Sequence, residues 1–512
     1  MEDKNKKMKK KKEKESSIAW TAASNNLNTE SFPEDFEFGV ATSSYQIEGA
    51  WNVNGKGESQ WDYVTHNLDW IVDGTNGDVA CDSYNKYKED VKMLSDLGVD
   101  YYRFSFSWPR IFPDGKEQVN SDGVRYYNDL INELIAYNIT PMVTLFHWDV
   151  PRALVEKSDG LLGDQFPAQF AYYADFAFET FGDRVKTWFT FNEPNNACDL
   201  AIYPNEENDY KCTRNVLLAH AKAYRIYDET YRTKQQGTIA MVIDSYWHEP
   251  KTESPQDKEA ADRYLQFMFG IWAHPIYLGD YPLIVKALVE YTSKMNGLPA
   301  SRLPLLTEDE VNLVKGTHDN LFALNFYSSK LVSHSDVVNV SELSRENDAH
   351  IVFTQPDEWP GPPNYSTWLR KTPWGLRKML NWIKQNYNNP DIIITENGYS
   401  DEGEMNDLGR IDYYKTYLSA VLDAIHEDEI PVKAYTAWSL MDNFEWLDGY
   451  KSKFGFYSVD FNDPDRKRSP KQSADFYKKL LIERRLVNSS PAKMGTLSLI
   501  ASAICFYLYL IL

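Results

Sequence analysis

Two glutamates stand at the ends of apolar, strand-like runs, and their chemistry fits cleavage of a glycosidic bond. Glu193 closes "TWFTFNEP" at 187–194, and Glu396 lies in "DIIITENG" at 391–398. A carboxylate at the end of an apolar run is costly unless something uses it. A lone glutamate there is more often a salt-bridge partner. A pair, each beside an asparagine, favours catalysis: one carboxyl gives a proton to the leaving oxygen and the other attacks or activates water.

Most of the other strand-like runs also end in a polar or aromatic residue, and these neighbours separate the two roles. Arg103 is a cation that can keep one carboxylate ionised by lowering its pKa, and Tyr327 can donate a hydrogen bond to the same group. Glu193 follows Asn192 in an aromatic setting that raises a carboxyl pKa, as a general acid needs. The remaining candidates at strand ends are Gln46, His147, Asn325 and Trp438.

The elements that must position these residues form a regular series of apolar runs. The runs are mostly continuous rather than alternating, which is typical of strands buried on both faces of a parallel sheet. Helix-like segments at 83–98 and 126–138 each precede a strand. The pattern predicts an α/β fold, a (β/α)8 TIM barrel with elaborated loops and its site at the C-terminal strand ends. The eight predicted strands lie at 36–42, 101–108, 141–148, 187–194, 238–244, 321–327, 391–398 and 432–440.

The chain divides into three predicted parts. Residues 1–32 form a disordered basic tail, because the like charges at 4–15 cannot fold alone. Residues 33–487 form the barrel. Residues 488–512 form a linker and a C-terminal hydrophobic anchor segment, whose uncharged run at 495–512 is about long enough to span a membrane. Small residues precede this run, as in a lipid-anchor signal, and a plain tail anchor is the alternative. The N-terminus carries no clear signal peptide.

Composition narrows the partners and the compartment. The net charge of −21 argues against a nucleic-acid partner. No pair of cysteines has zinc-site spacing, and two carboxylates suffice for the chemistry, so we expect neither metal nor cofactor. Cys198 and Cys212 are either a short-loop disulfide or two free thiols. Together with N-glycosylation sequons they favour the secretory pathway, ending outside the cell or at its surface. The sequons begin at Asn138, Asn339, Asn364 and Asn488.

The motifs, taken in order, resemble family 1 glycoside hydrolases, the β-glucosidase family. "TFNEP" at 190–194 and "ITENG" at 394–398 look like the two catalytic signatures of that family. The resemblance covers roughly residues 33–480. Its other motifs are "FGVATSSYQIEGAW" at 38–51, "YRFSFSWPRIFP" at 102–113, "FHWDVPRAL" at 146–154, "LNFYSS" at 324–329, "AWSLMDNFEWLDGY" at 437–450 and "FGFYSVDF" at 454–461.

The resemblance implies a role for each matching residue. Glu193 corresponds to the acid/base and Glu396 to the nucleophile of a retaining double displacement through a covalent glycosyl-enzyme. Asn192 corresponds to the residue that binds the sugar 2-hydroxyl. Arg103 and Asn325 are expected to support the nucleophile, and Tyr327 is expected to support it and to contact the substrate. The sugar pocket is implied to comprise Gln46, His147, Trp438, Glu445 and Trp446.

The resemblance also bounds the substrate, a small β-glycoside. Glu445 would repel a 6-phosphate, which favours a plain hexose such as glucose, galactose or fucose. Plant thioglucosidases replace the acid/base with glutamine, whereas Glu193 is intact. Animal thioglucosidases keep both glutamates, so S-linked plant glucosides stay an alternative to O-linked β-D-glucosides. A klotho-like binding protein without catalysis is a second alternative. The rim segments 157–166 and 198–212 depart from the family, so its leaving-group preference is not carried over.

Overall fold

The computed structural model describes residues 27–202, 209–337, 339, 343–363 and 365–487. Most of the predicted tail and the whole predicted linker and anchor lie outside this range. Residues 28–32, assigned to the tail, are attached to the barrel. The side-chain amide of Asn28 donates to Asp423 Oδ1 at 2.9 Å, and Phe32 is 3% exposed. The boundary at residue 32 therefore needs correction, and the packed chain begins by Asn28.

Eight parallel strands close into a barrel in which each strand neighbours the next in the chain and the last pairs with the first. The predicted TIM-barrel fold is thus confirmed, including all eight predicted strands. Their bounds are β1 Glu37–Ala41, β2 Tyr101–Ser105, β3 Thr140–Phe146, β4 Thr187–Asn192, β5 Thr238–Asp244, β6 Leu321–Asn325, β7 Asp391–Asn397 and β8 Val432–Trp438.

The barrel strands are buried on both faces, as their composition predicts. In β4, Phe189 packs in the barrel interior with Met142 and Val242, whereas Trp188 faces outward to Phe178 on a surrounding helix. Side chains of successive strand residues point to opposite faces, so one apolar run supplies both layers. This double burial is why the runs lack polar alternation.

Helices surround the barrel. The predicted segments at 83–98 and 126–138 correspond to Ser83–Leu97 and Ser121–Ala136. The second begins earlier than predicted because Asn120 caps its N-terminus by accepting from the Asp122 N–H. The other helices of eight or more residues are Gln60–Asn67, Phe166–Phe181, Pro194–Ile202, Asp209–Ile226, Pro255–Leu265, Ile271–Leu278, Leu283–Met295, Pro373–Asn386, Leu408–His426 and Gln472–Glu483. Shorter turns of helix are Ser44–Ile47, Trp108–Ile111, Arg152–Ser158, Gly160–Leu162, Tyr227–Tyr231, Arg232–Gln235, Gln266–Gly270, Glu308–Val314, Arg345–Asp348 and Trp446–Asp448.

Register shifts interrupt the two strands that carry the glutamates. The pairing of β4 with β5 shifts between Phe189 and Asn192. The pairing of β7 with β6 shifts between Ile394 and Glu396. Such irregularities re-aim side chains and are common beside active sites. Here they lie immediately before the residues that reach the barrel mouth.

A three-stranded sheet, called here the side sheet, stands beyond the C-terminal ends of β5 and β6. Its strands are Trp247–Pro250, Ser329–His334 and Ile351–Thr354, with the Ser329–His334 strand in the middle. A small two-stranded sheet pairs Tyr457–Val459 with Arg468–Pro470. Within the described part of the chain, no helix combines the length and apolar character of a membrane span.

Candidate active site

A cavity of about 900 Å³ opens at the C-terminal ends of the barrel strands. Both glutamates line it, Glu193 from just after β4 and Glu396 from β7. The mouth is where a TIM barrel places its chemistry, because the strand ends converge there while the barrel below is filled. Six other residues singled out from the sequence line the same cavity: His147, Asn325, Tyr327, Trp438, Glu445 and Trp446.

Arg103, on β2, lies beneath the cavity and donates hydrogen bonds to residues of β4 and β7. Its Nη1 donates to Glu396 Oε1 at 2.6 Å, and its Nη2 donates to Asn192 Oδ1 at 2.6 Å. Arg103 is 1% exposed. A buried cation needs such charge-assisted partners because its desolvation is otherwise costly. Arg103 therefore holds one glutamate and the asparagine that precedes the other in a fixed relation.

Glu396 also accepts a hydrogen bond from the Tyr327 hydroxyl, at 2.8 Å to Oε2. Each carboxylate oxygen thus has one donor, a cation on one side and a phenol on the other. Glu396 is 4% exposed, so water screens the ion pair weakly. This environment holds both oxygens in place and suits a carboxylate that attacks an electrophile.

Glu193 has neutral donors instead of a cation. The amides of Asn325 and Asn196 donate to its two oxygens, each at 2.8 Å. Burial raises the pKa of Glu193 well above the ordinary value, and the negative charges of Asp244 and Glu396 raise this pKa further. The two amide hydrogen bonds only partly offset this. The carboxyl is thereby suited to carry a proton at neutral pH.

The end of the cavity that the resemblance assigns to the sugar joins β8 and the loop after it to the first strand and helix. Glu445 accepts from the Trp438 indole N–H at 3.2 Å and from the Gln46 amide at 3.4 Å. Burial raises the pKa of Glu445 to about 8. The Trp446 ring lies 5.9 Å from the His147 ring, centroid to centroid. Paired carboxyl and amide groups beside indole faces can bind hydroxyls and the C–H face of a sugar.

His147 is neutral in this setting. Burial lowers the pKa of its imidazole well below the usual value, and the positive charge of Arg103 lowers it further. Its Nε2 lies 3.1 Å from the Asn192 amide nitrogen, which can only donate. Nε2 is therefore the acceptor, and Nδ1 is assigned the proton.

Asn325 does not have the partner that the sequence predicted, and Asn397 does not face the glutamate that it follows. Asn325, expected to support Glu396, donates to Glu193 and to Asn192 instead, so the expectation for its partner is corrected. Asn397, the amide beside Glu396, turns away and donates to the Phe326 carbonyl at 2.6 Å. Neighbouring strand residues face opposite sides, so an amide adjacent in sequence to Glu396 cannot share its direction.

Two residues that contribute to the site were not predicted from the sequence. Asn196 lies three positions after Glu193, on helix Pro194–Ile202, a spacing that brings side chains together. Asp244 ends β5 and lines the cavity. The pattern of polar strand ends could have identified it. Burial raises the pKa of Asp244 to about 7, and its Oδ1 is buried without a hydrogen-bond partner among the described residues.

The remaining predicted positions lie away from the chemistry. Cys198 and Cys212 form a disulfide that joins helix Pro194–Ile202 to helix Asp209–Ile226. Asn138 and Asn339 are exposed, whereas Asn364 and Asn488 fall outside the described residues. Within the described ranges, no group of three or more His, Cys, Asp or Glu side chains has an arrangement that could hold a metal ion.

Comparison with known proteins decides the family. Residues 28–485 match the family described as Glycosyl hydrolase family 1. The chain belongs to this family. Membership confirms the resemblance and the predicted enzyme class, a glycoside hydrolase. The separate roles of the two glutamates at the strand ends are argued below.

Individual relatives within family 1 cover almost the whole barrel. Myrosinase 1 of Brevicoryne brassicae is 46% identical, over 88% of this chain and 98% of the relative. The cytosolic β-glucosidase of Cavia porcellus is 40% identical, over 88% and 98%. The solved structure of a rice β-glucosidase, a mutant in a covalent complex with Glc, superposes with a TM-score of 0.83. It is 37% identical and covers 89% of this chain and 99% of its own.

We expect Asp244→Asn to lower the pKa of Glu193, because the substitution removes a like charge that favours the protonated form. The proton is then lost at lower pH, so the basic limb of the pH profile of kcat/KM should move down by about one pH unit. The matched control is Asp199→Asn, since Asp199 lines the same cavity but is paired with Arg345. A basic limb that stays in place or moves upward in Asp244→Asn contradicts this account.

Proposed function

We propose that the protein is a retaining β-glycosidase that hydrolyses O-linked β-D-glucosides, with Glu193 as acid/base and Glu396 as nucleophile. The carrying observation is the contrast between the two carboxyl groups in one cavity. Glu396 has a cation and a phenol as partners, while Glu193 has two neutral amides and the charge of Asp244 nearby. One group is held ionised and the other holds a proton, as double displacement requires.

In the first step the Glu396 carboxylate attacks the anomeric carbon and forms a glycosyl ester. Glu193 gives its proton to the glycosidic oxygen, so the aglycone leaves as an alcohol. Arg103 and Tyr327 hold the attacking carboxylate in position. Glu193 is now ionised, and its amide partners, Asn196 and Asn325, stabilise the carboxylate form.

In the second step Glu193 accepts a proton from a water molecule, whose oxygen attacks the anomeric carbon. The ester bond breaks, Glu396 regains its carboxylate, and the sugar leaves with retained configuration. Glu193 ends the cycle protonated. Because one residue serves as acid and then base, its pKa must fall when the charge on Glu396 is consumed in the ester. The charge of Glu396 is among the causes that raise the pKa of Glu193, so the coupling has the required sign.

For the sugar we propose an unphosphorylated hexose, held by Gln46, Asn192, His147 and Glu445, with the sugar C–H face on Trp438 and Trp446. Glu445 supports this choice. A phosphate would lie beside Glu445, whose ionised form repels it and whose burial already makes a negative charge there costly. Glucose is our first choice, with galactose and fucose as sugars that present hydroxyls in related positions.

A second candidate, hydrolysis of S-linked glucosides, rests on the similarity to Myrosinase 1. A sulfur leaving group needs less help from an acid, so Glu193 is dispensable for its departure but still useful for activating water. Matched O-aryl and S-aryl β-glucosides separate the two functions by their ratio of kcat/KM. A ratio in favour of sulfur would transfer the proposal to thioglucosides.

The proposed nucleophile can be identified by covalent labelling. We expect a 2-fluoro β-glucoside with an activated leaving group to add one sugar to the protein. Peptide mapping by mass spectrometry should place that sugar on Glu396. The Glu396→Gln variant should bind the compound without a covalent mass increase. No label, together with no turnover of O- or S-glucosides, contradicts catalysis and favours a klotho-like binding role.

The proposed acid can be tested by the dependence on leaving group. We expect Glu193→Gln to lower kcat/KM for alkyl glucosides by about 10²–10⁴-fold, the range for a lost general acid. Attack on 2,4-dinitrophenyl glucoside needs no proton donor and should be affected far less. Asn196→Ala, which removes one hydrogen bond to Glu193, is the milder control. An equal loss on both substrate types means that Glu193 is not the acid.

We also propose that the protein follows the secretory pathway and that residues 495–512 are a lipid-anchor signal, which is removed when the lipid that holds the protein at the membrane is attached. The disulfide of Cys198 with Cys212 suits an oxidising compartment, and the sequons at Asn138 and Asn339 are exposed. On protein from cells expressing the full chain, we expect peptide-N-glycosidase to reduce the mass. Phosphatidylinositol-specific phospholipase C should release the protein from membranes.

Two alternative results of the membrane experiment have defined meanings. Retention after phospholipase treatment, with loss of membrane binding when 495–512 are deleted, indicates a plain tail anchor. Unglycosylated protein with free thiols at Cys198 and Cys212 contradicts the secretory route.

A further inference from the structure

Beyond the sugar end, the cavity extends along the side sheet to a group of hydrogen-bond donors, called here the donor cluster: Tyr246, His248 and Lys330. All three line the cavity. His248 and Lys330 are register partners on adjacent strands of the side sheet, so their side chains share one face. None of the roles proposed above for the sugar or the acid uses these residues.

His248 is 1% exposed, and neither ring nitrogen has a hydrogen-bond partner among the described residues. Its ring packs 4.8 Å from that of Tyr264 and 6.0 Å from that of Phe353. Burial lowers the pKa of His248 to about 3, so the ring is neutral and carries one N–H donor and one acceptor. A buried polar group without a hydrogen-bond partner destabilises the fold. A ligand polar atom would remove that destabilisation.

Lys330 has aromatic neighbours where a carboxylate is usual. Its Nζ lies 4.0 Å from the centroid of the Tyr246 ring and 4.7 Å from that of Phe353. Within the described part of the chain, no carboxylate forms a salt bridge with it. Glu346, which lines the same cavity, accepts from the Tyr264 hydroxyl at 2.7 Å. Burial lowers the pKa of Lys330, and the charges of Glu346 and Asp244 do not fully offset this.

We propose that the donor cluster recognises an anionic oxygen group, a carboxylate or a sulfonate-type group, on the aglycone of the substrate. This inference rests on the proposed glycosidase function, because the aglycone enters the cavity with its sugar at Glu193 and Glu396. The ammonium and the imidazole N–H supply donors to the anion, and charge-assisted hydrogen bonds of this kind are the strong ones.

The shape and charge of the surroundings limit which aglycones fit. Trp368 lines the cavity on the same side as Tyr246, with ring centroids 6.4 Å apart and nearly perpendicular. A flat aglycone body can lie against these rings. Asp244 and Glu346 are close enough to attract Lys330, so they also repel a misplaced anion. Selectivity therefore requires the anionic group to reach the ammonium directly.

The test compares two nearly isosteric substrates, 4-carboxyphenyl β-glucoside and its neutral 4-carboxamide. We expect Lys330→Met to lower kcat/KM for the carboxylate by about 10–100-fold, the loss typical of a charge-assisted hydrogen bond, through a higher KM. The carboxamide should change less than about threefold by the same principle. Lys330→Arg keeps the charge and should restore much of the preference. A 4-sulfophenyl glucoside distinguishes a tetrahedral from a planar anion.

The matched control is Lys378→Met, because Lys378 is paired with Glu249 and does not line the cavity. It should leave the ratio of the two substrates unchanged. An unchanged ratio in Lys330→Met, or an equal loss on both substrates, overturns the proposal. Failure of the glycosidase function itself would show separately, as absence of 2-fluoroglucoside label and of phenyl glucoside turnover in the unmodified protein.

Discussion

Arg103 lies almost without solvent contact at the mouth of the barrel, and its charge determines the arrangement around it. The desolvation of a guanidinium costs several kcal/mol unless anionic or strongly polar partners surround it. Glu396 and Asn192 are those partners, so their positions follow from the need to compensate one buried cation. Burial lowers the pKa of His147 and the charge of Arg103 lowers it further, so the ring is neutral and can accept from Asn192. The positions of Glu396 and Asn192 and the neutral state of His147 thus all depend in part on Arg103.

The second consequence is that two carboxyl groups in one cavity differ in character although both are buried. Arg103 compensates Glu396, and nothing cationic among the described residues contacts Glu193. Irregular pairing in β4 and β7 directs each glutamate to the mouth while the apolar residues before it stay in the wall. Glu193 further adopts a positive φ of 45°, which few side chains tolerate and which marks a backbone held by its surroundings. Irregular pairing thus brings both glutamates to the mouth, and their different partners there give them different character.

Sequence reasoning recovered the barrel and the two glutamates because each strand carries its own signal, a continuous apolar run with a polar end. It failed where the hydrogen-bond partner of a side chain depends on the direction in which the side chain points rather than on its position in the sequence. Asn325 and Asn397 both lie near Glu396 in the fold, yet one faces Glu193 and the other faces away. Asp244 ends a strand like the others and was overlooked. The unpaired state of His248 depends on which groups surround it in three dimensions, and no local pattern reports that.

The side sheet is built from segments that extend the barrel strands rather than from the barrel itself. Three of its residues, His248, Lys330 and Phe353, line the cavity, whereas Arg103 and both glutamates belong to β2, β4, β7 and their immediate ends. Substitutions at positions such as 246, 248 and 330 can therefore accumulate without disturbing the catalytic charges. The residues that carry the catalytic charges therefore belong to the barrel strands and their immediate ends, and the residues that can vary belong to the side sheet and its edge. Enzymes that share the catalytic charges can thus differ in the leaving group they accept through a few side chains on or beside one small sheet.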